Sequence, residues 1–81
     1  MIRTQLFRHG MLRVEAKHPD PSTANRHIDA LINEVHKGVH GTGEFQIHAA
    51  HVDEHDLFTG LFYTTPTFFH PVREPAEPKP A

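Results

Sequence analysis

From Ala24 to Val35, apolar residues recur at three- and four-residue steps: Ala24, Ile28, Leu31, Ile32 and Val35. That spacing aligns them as one stripe along an α-helix. A single such stripe is a severe constraint, because a helix that is apolar on one side must bury that side against another element. Asn25, Arg26, Asp29, Asn33 and Lys37 lie mostly off the stripe. The helix also has marked ends. Asp20 can cap it, with Pro21 in the first turn, where the missing N–H costs nothing; Ser22 is the alternative cap. Gly38 supplies a stop, and His36 and Lys37 before it suit the negative end of the helix dipole.

On both sides of this segment the apolar period changes to two, the period of a half-buried strand. Ile2, Thr4 and Leu6 alternate with Arg3, Gln5 and Phe7, and Leu12, Val14 and Ala16 alternate with Arg13, Glu15 and Lys17. With Arg8-His9-Gly10 between them, the two runs predict a β-hairpin. After the helix, Phe45, Ile47 and Ala49 alternate with Gln46, His48 and Ala50 within a strand expected from Glu44 to Val52. Asp53-Glu54-His55-Asp56 forms a polar turn, and Leu57 to Thr65 is aromatic and β-branched enough for another strand. Strict alternation there sets Leu57, Thr59, Leu61 and Tyr63 on one side and Phe58, Gly60, Phe62 and Thr64 on the other. Thr65 to His70 can add a short edge segment. The predicted fold is α+β in the order ββαββ, an antiparallel four-stranded sheet with one amphipathic helix on one face. It occupies residues 1–70 as a single domain. Pro71, Pro75, Pro78 and Pro80, mixed with Arg73, Glu74, Glu77 and Lys79, predict a disordered tail over 71–81.

So small a domain buries a modest share of its surface. There is no cysteine among the 81 residues, so neither a disulfide nor a thiolate zinc site can reinforce it. Self-association is a common remedy, and a homo-oligomer is the expectation. The strand from Leu57 carries large apolar groups on both faces, which suits a strand facing a partner. Phe58, Phe62, Tyr63, Phe68 and Phe69 are the candidate interface residues. Between Leu57 and Pro71 there is no Lys or Arg, whereas a nucleotide-stacking sheet interleaves aromatics with cations. The formal charge of −2 likewise argues against nucleic acid. No cationic and apolar leader and no run of about 20 apolar residues is present. The expectation is a cytoplasmic protein without membrane contact.

Nine residues are histidine, and His36, His40, His48, His51 and His55 crowd into one stretch. If the strand continues through His51-Val52-Asp53-Glu54-His55, then His51, Asp53 and His55 point the same way. With His48 these are ligand types zinc accepts, giving an alternative reading as a metal-binding protein or metal-dependent hydrolase. The competing reading of the segment is a solvated turn. His36 and His40 have four-residue spacing, but Gly38 breaks the helix between them. His40-Gly41-Thr42-Gly43 follows a helix, whereas anion cradles precede one, so it is read as a connector. Ser22 is the lone serine and is explained as a cap; no Gly-x-Ser-x-Gly occurs. His9, His18, His27 and His36 fall at intervals of nine without a shared neighbour pattern. Protonating all nine histidines would carry the net charge from −2 to +7, which predicts a stability change between roughly pH 7 and 5.

The run Ala24 to Thr65, with "HIDALINEVHKG", "FQIHAAHV" and "LFTGLFYTT" in that order, resembles a family of short sporulation-associated proteins and related phage sponges. The sponges sequester cyclic nucleotide signals of bacterial immune systems. The resemblance covers about half the chain; members begin with one strand where this chain has a hairpin. It implies a homo-oligomeric, non-catalytic binder of a small nucleotide at a subunit boundary. No ligand residue carries over. The reading of the residues themselves is a non-enzymatic accessory protein, without cofactor, that binds a partner protein or a small anionic ligand.

Overall fold

The computed structural model describes residues 1–69, and for Phe68 and Phe69 the backbone alone; the expected tail at 71–81 lies outside the described residues. Strands β1 (Ile2–Arg8) and β2 (Met11–His18) form the hairpin, α1 runs Pro21–His36, and β3 (Glu44–Val52), β4 (Phe58–Thr64) and the two-residue β5 (Phe68–Phe69) follow. All pairings are antiparallel, in the order β2-β1-β3-β4. β5 pairs with β3 at Glu44 and Phe45, continuing the line of β4. The ββαββ arrangement is as the periodicities predict, with β5 added at the edge.

Both helix ends are built as the sequence suggests. Asp20 Oδ1 accepts from the Thr23 N–H at 2.9 Å, and Pro21 begins the first turn. At the other end Gly38 takes φ +79°; its N–H donates to Val35 O, and the Val39 N–H donates to Glu34 O. These two bonds are the paired closure of a Schellman stop, which a left-handed glycine permits. The β1–β2 loop is two residues, His9 and Gly10, both with positive φ. That matches the turn whose twist fits a hairpin. The His9 N–H donates to Glu44 O at 2.8 Å, fixing the loop to the start of β3.

Residues directly opposite in a sheet share a face, so register decides what the helix covers. Ile2, Thr4 and Leu6 of β1 lie beside His51, Ala49 and Ile47 of β3 and beside His18, Ala16 and Val14 of β2. The core forms where this face meets Ala24, Ile28, Leu31 and Val35 of the helix, with Phe45 closing one end. α1 packs on β1, β2 and β3. Among the described residues no helix lies on the opposite face, which carries Arg3, Gln5, Phe7, Gln46, His48 and Ala50.

Two expectations about side-chain direction are corrected. Strict alternation sets Leu12 with Val14 and Ala16, but the register shifts between Leu6 and Phe7, so Leu12 pairs with Phe7 on the outer face and is exposed. In β4 the register shifts twice, near Phe62 and near Thr59. A bulge places two residues against one and resets the alternation. Phe62 and Tyr63, expected on opposite faces, therefore both pack against the core, while Phe58 and Leu61 lie opposite Val52 and Ala50 on the outer face.

Candidate functional site

Among the described residues β4 pairs with β3 alone, leaving its other edge open, and it carries the chain's aromatic stretch. Its inner flank is held by β3, and the ladder is extended beyond the strand by Thr65. The Thr65 N–H donates to Ile47 O at 3.0 Å, and Thr65 Oγ1 accepts from the Ile47 N–H at 2.9 Å. That side chain takes over a backbone acceptor's role just before Pro66, which has no N–H to give. Phe62 and Tyr63 are half-buried, and the Phe62 ring meets the His51 ring edge-on at 5.4 Å between centroids. Leu57, Phe58 and Leu61 stand exposed, at 61%, 58% and 55%. Of the five candidate interface residues, Phe58 is thus on the open surface, and Phe62 and Tyr63 serve the margin of the core. Phe68 and Phe69 form β5, their side chains lying outside the description.

The two sheet edges differ in a way that bears on association. β2 carries Arg13, Glu15 and Lys17, and charged side chains are a usual protection of a free edge. β4 carries no charged residue in Phe58–Thr64. Its two bulges increase the local twist and leave Phe58 and Leu61 exposed.

The histidine–carboxylate set is dispersed. β3 ends at Val52, so the strand does not continue through Asp53. His48 sits on the outer face opposite Gln5 and Thr64; His51 sits on the helix face opposite Ile2 and Gly60. Asp53 Oδ1 accepts from the backbone N–H groups of His55 and Leu57, at 2.8 and 3.0 Å, and so builds the turn. His55 is exposed beside Glu54. Among the described residues no group of three or more His, Asp or Glu is placed to hold a metal ion. His40, the other spaced candidate, bonds Glu34 Oε1 through Nε2 at 2.8 Å. A shallow cavity of about 410 Å³ lies beside the Asp53 turn, lined by Met1, Lys17, Val52, Asp53, Glu54 and Asp56. Lys17 and Asp56 are paired across its wall, with Lys17 Nζ 3.0 Å from Asp56 Oδ1, and Arg3 approaches the same oxygen at 4.0 Å.

One polar cluster escapes the sequence reading. Thr4 Oγ1 is 2.6 Å from His27 Nδ1 and 3.0 Å from His18 Nε2, and the two ring nitrogens are 3.2 Å apart. Thr4 is fully buried, and the rings lie 4.9 Å apart and tilted by 47°. Burial, with the neighbouring His18 second, pushes the His27 pKa down from its ordinary 6.5, against a smaller upward pull from Glu34. Periodicity holds the signal for this meeting. His18 continues the inward series Val14, Ala16 along β2, and His27 lies three residues after Ala24 and four before Leu31. Both point to the layer between helix and sheet. Compared with known proteins, the chain matches no family model, no curated protein and no solved structure.

Proposed function

We propose that this protein is a non-enzymatic binding module that works as a homo-oligomer, with β4 as the strand that meets a second copy. The observation that carries the reading is the uncharged free edge of Phe58–Thr64 flanked by exposed Leu57, Phe58 and Leu61. Leu61 is the middle residue of the strand. A second copy added antiparallel about that point sets Leu61 beside its own equivalent and Phe58 beside Thr64, with no like charges opposed. The same operation at β2 about Glu15 opposes Glu15 to its own copy and Arg13 to Lys17. The assembled sheet then offers a two-sided surface for a further guest, a partner protein or a small anionic ligand. The resemblance to phage and sporulation proteins favours sequestration of that guest by a small accessory protein.

Sedimentation of the untagged chain across a concentration series tests this reading. The expected result is a dimer or higher assembly that Leu61→Lys converts to a folded monomer, because a cation at the middle of the edge opposes its own copy. A wild-type chain that stays monomeric at high concentration overturns it. So does an assembly indifferent to both Leu61→Lys and Phe58→Glu.

A further inference from the structure

We infer that Thr4, His18 and His27 form a proton-sensitive clasp, fastening α1 to the β1–β2 hairpin while both imidazoles are neutral and loosening as they take up protons. Three elements meet there: Thr4 comes from β1, His18 from the last position of β2, and His27 from the second turn of α1. The count of donors and acceptors sets the protonation the cluster accepts. A hydroxyl gives one hydrogen bond and can receive two, and a neutral imidazole has one donor and one acceptor nitrogen. With both rings neutral, the Thr4 hydroxyl donates to His27 Nδ1 across 2.6 Å while His18 Nε2–H donates to Thr4 Oγ1 across 3.0 Å. The mirror assignment, with His27 donating and His18 accepting, closes equally well. The three atoms in contact, Thr4 Oγ1, His18 Nε2 and His27 Nδ1, are then each satisfied.

Full protonation undoes this closure. Both nitrogens become donors that face each other at 3.2 Å, and two positive charges sit at that separation. The Thr4 hydroxyl would have to receive both bonds and turn its own hydrogen to Ala16 O, 3.4 Å away. Among the described residues no carboxylate is bonded to the cluster to offset the charge. Glu34, on α1, is the acidic group felt by His27, and its Oε1 is already bonded to His40. Lys17, beside His18 in sequence, reaches across the other face to Asp56. His27 thus holds fewer protons folded than unfolded. Stability is complete above the ordinary histidine pKa and falls as pH drops through it toward the lowered folded value. The folding equilibrium constant loses up to about tenfold per pH unit for one excluded proton.

The test follows the ring protons of His18 and His27 by NMR through a pH titration of the full chain. The His27 midpoint is expected below 6.5 in the wild type, and it should move upward in His18→Gln, where the like charge is gone. In parallel, unfolding by urea is measured at pH 7.5 and 5.5. Wild type should lose more of its folding constant over that interval than His18→Gln, since the other eight histidines are shared. A His27 midpoint at or above the ordinary value overturns the clasp, as does an identical loss in the two proteins. If His18→Gln fails to fold, the wild-type titration alone decides, because a clasp cannot coexist with an unshifted His27.

Discussion

Leu31→Ala and Ile32→Ala, one residue apart on α1, should differ sharply in cost. Leu31 is 1% exposed at the centre of the helix–sheet layer, whereas Ile32 is partly open at its margin. Removing a buried leucine side chain costs about 3 kcal/mol, from lost transfer energy plus the cavity left behind. At the half-covered Ile32 most of the cavity contribution is absent, and the cost falls to about 1 kcal/mol. A domain of this size is held by roughly 3–10 kcal/mol in total. Leu31→Ala therefore removes between a third and nearly all of the stability, equivalent to a fall in Tm of roughly 12–24 °C. Urea titration at pH 7.5, read by circular dichroism at one fixed protein concentration, compares the two variants. Concentration must be fixed because any self-association would add its own stabilisation. A Leu31→Ala shift below about 1 kcal/mol, or equal shifts in the two variants, would falsify the account of a core made by one helix on one face.

Thr65→Val keeps the shape of the side chain and deletes the oxygen that receives the Ile47 N–H. An unsatisfied buried donor costs about 1–3 kcal/mol, and the loss should appear in the urea midpoint with the slope unchanged; a neutral result would mean that water replaces the bond. Asp20→Ala removes the cap at the start of α1. The Thr23 N–H bonded to Asp20 holds its pKa below the ordinary 3.8, so the contribution is present above that value and is lost as pH falls through the lowered folded one. The gap in Tm between wild type and Asp20→Ala should therefore be constant near neutrality and close on acidification, and a gap that persists unchanged into strong acid counts against the cap.

Much of the fold is legible in local pattern because each element carries its own period and its own punctuation. Asp20-Pro21 and Gly38 mark the helix through backbone chemistry that needs no tertiary partner, and both function there as the residue types dictate. What local pattern misses is set by pairing between strands. Nothing in the alternation of Phe58 to Thr64 announces that β3 takes two residues of β4 against one of its own, twice. A period of two is reversed by a single extra residue, and so Phe62 and Tyr63 end on one side. Asp53 is a similar case: strand geometry would aim it beside His51, but its carboxylate is short enough to bond the backbone two and four residues on, and that turn ends the strand first. The clasp needs a still longer view, since His18 and His27 meet only through the placement of the helix across the hairpin. Each is legible as inward-facing on its own element; their mutual distance is not.

The exposure of β4 follows from dimensions that the chain cannot evade. An α-helix with its side chains is about 10 Å across, and strands lie about 4.8 Å apart. One helix therefore shelters about three strands, and α1 shelters β2, β1 and β3. The fourth strand must project beyond the helix, with Phe62 and Tyr63 reaching back to the margin of the core. A fourth strand meant for water would be expected to place polar or charged side chains there, as β2 does on its outer face with Glu15 and Lys17. β4 instead presents Phe58 and Leu61 outward and keeps Phe62 and Tyr63 half-covered inward. Leaving such groups in water forgoes roughly 1.5–3 kcal/mol for each large side chain that could be buried. A second β4 laid against the first recovers part of that in both copies at once, and it adds backbone hydrogen bonds along an edge with no charge to oppose them. The shortage of helix and the composition of the last long strand thus both support the proposed pairing of two copies.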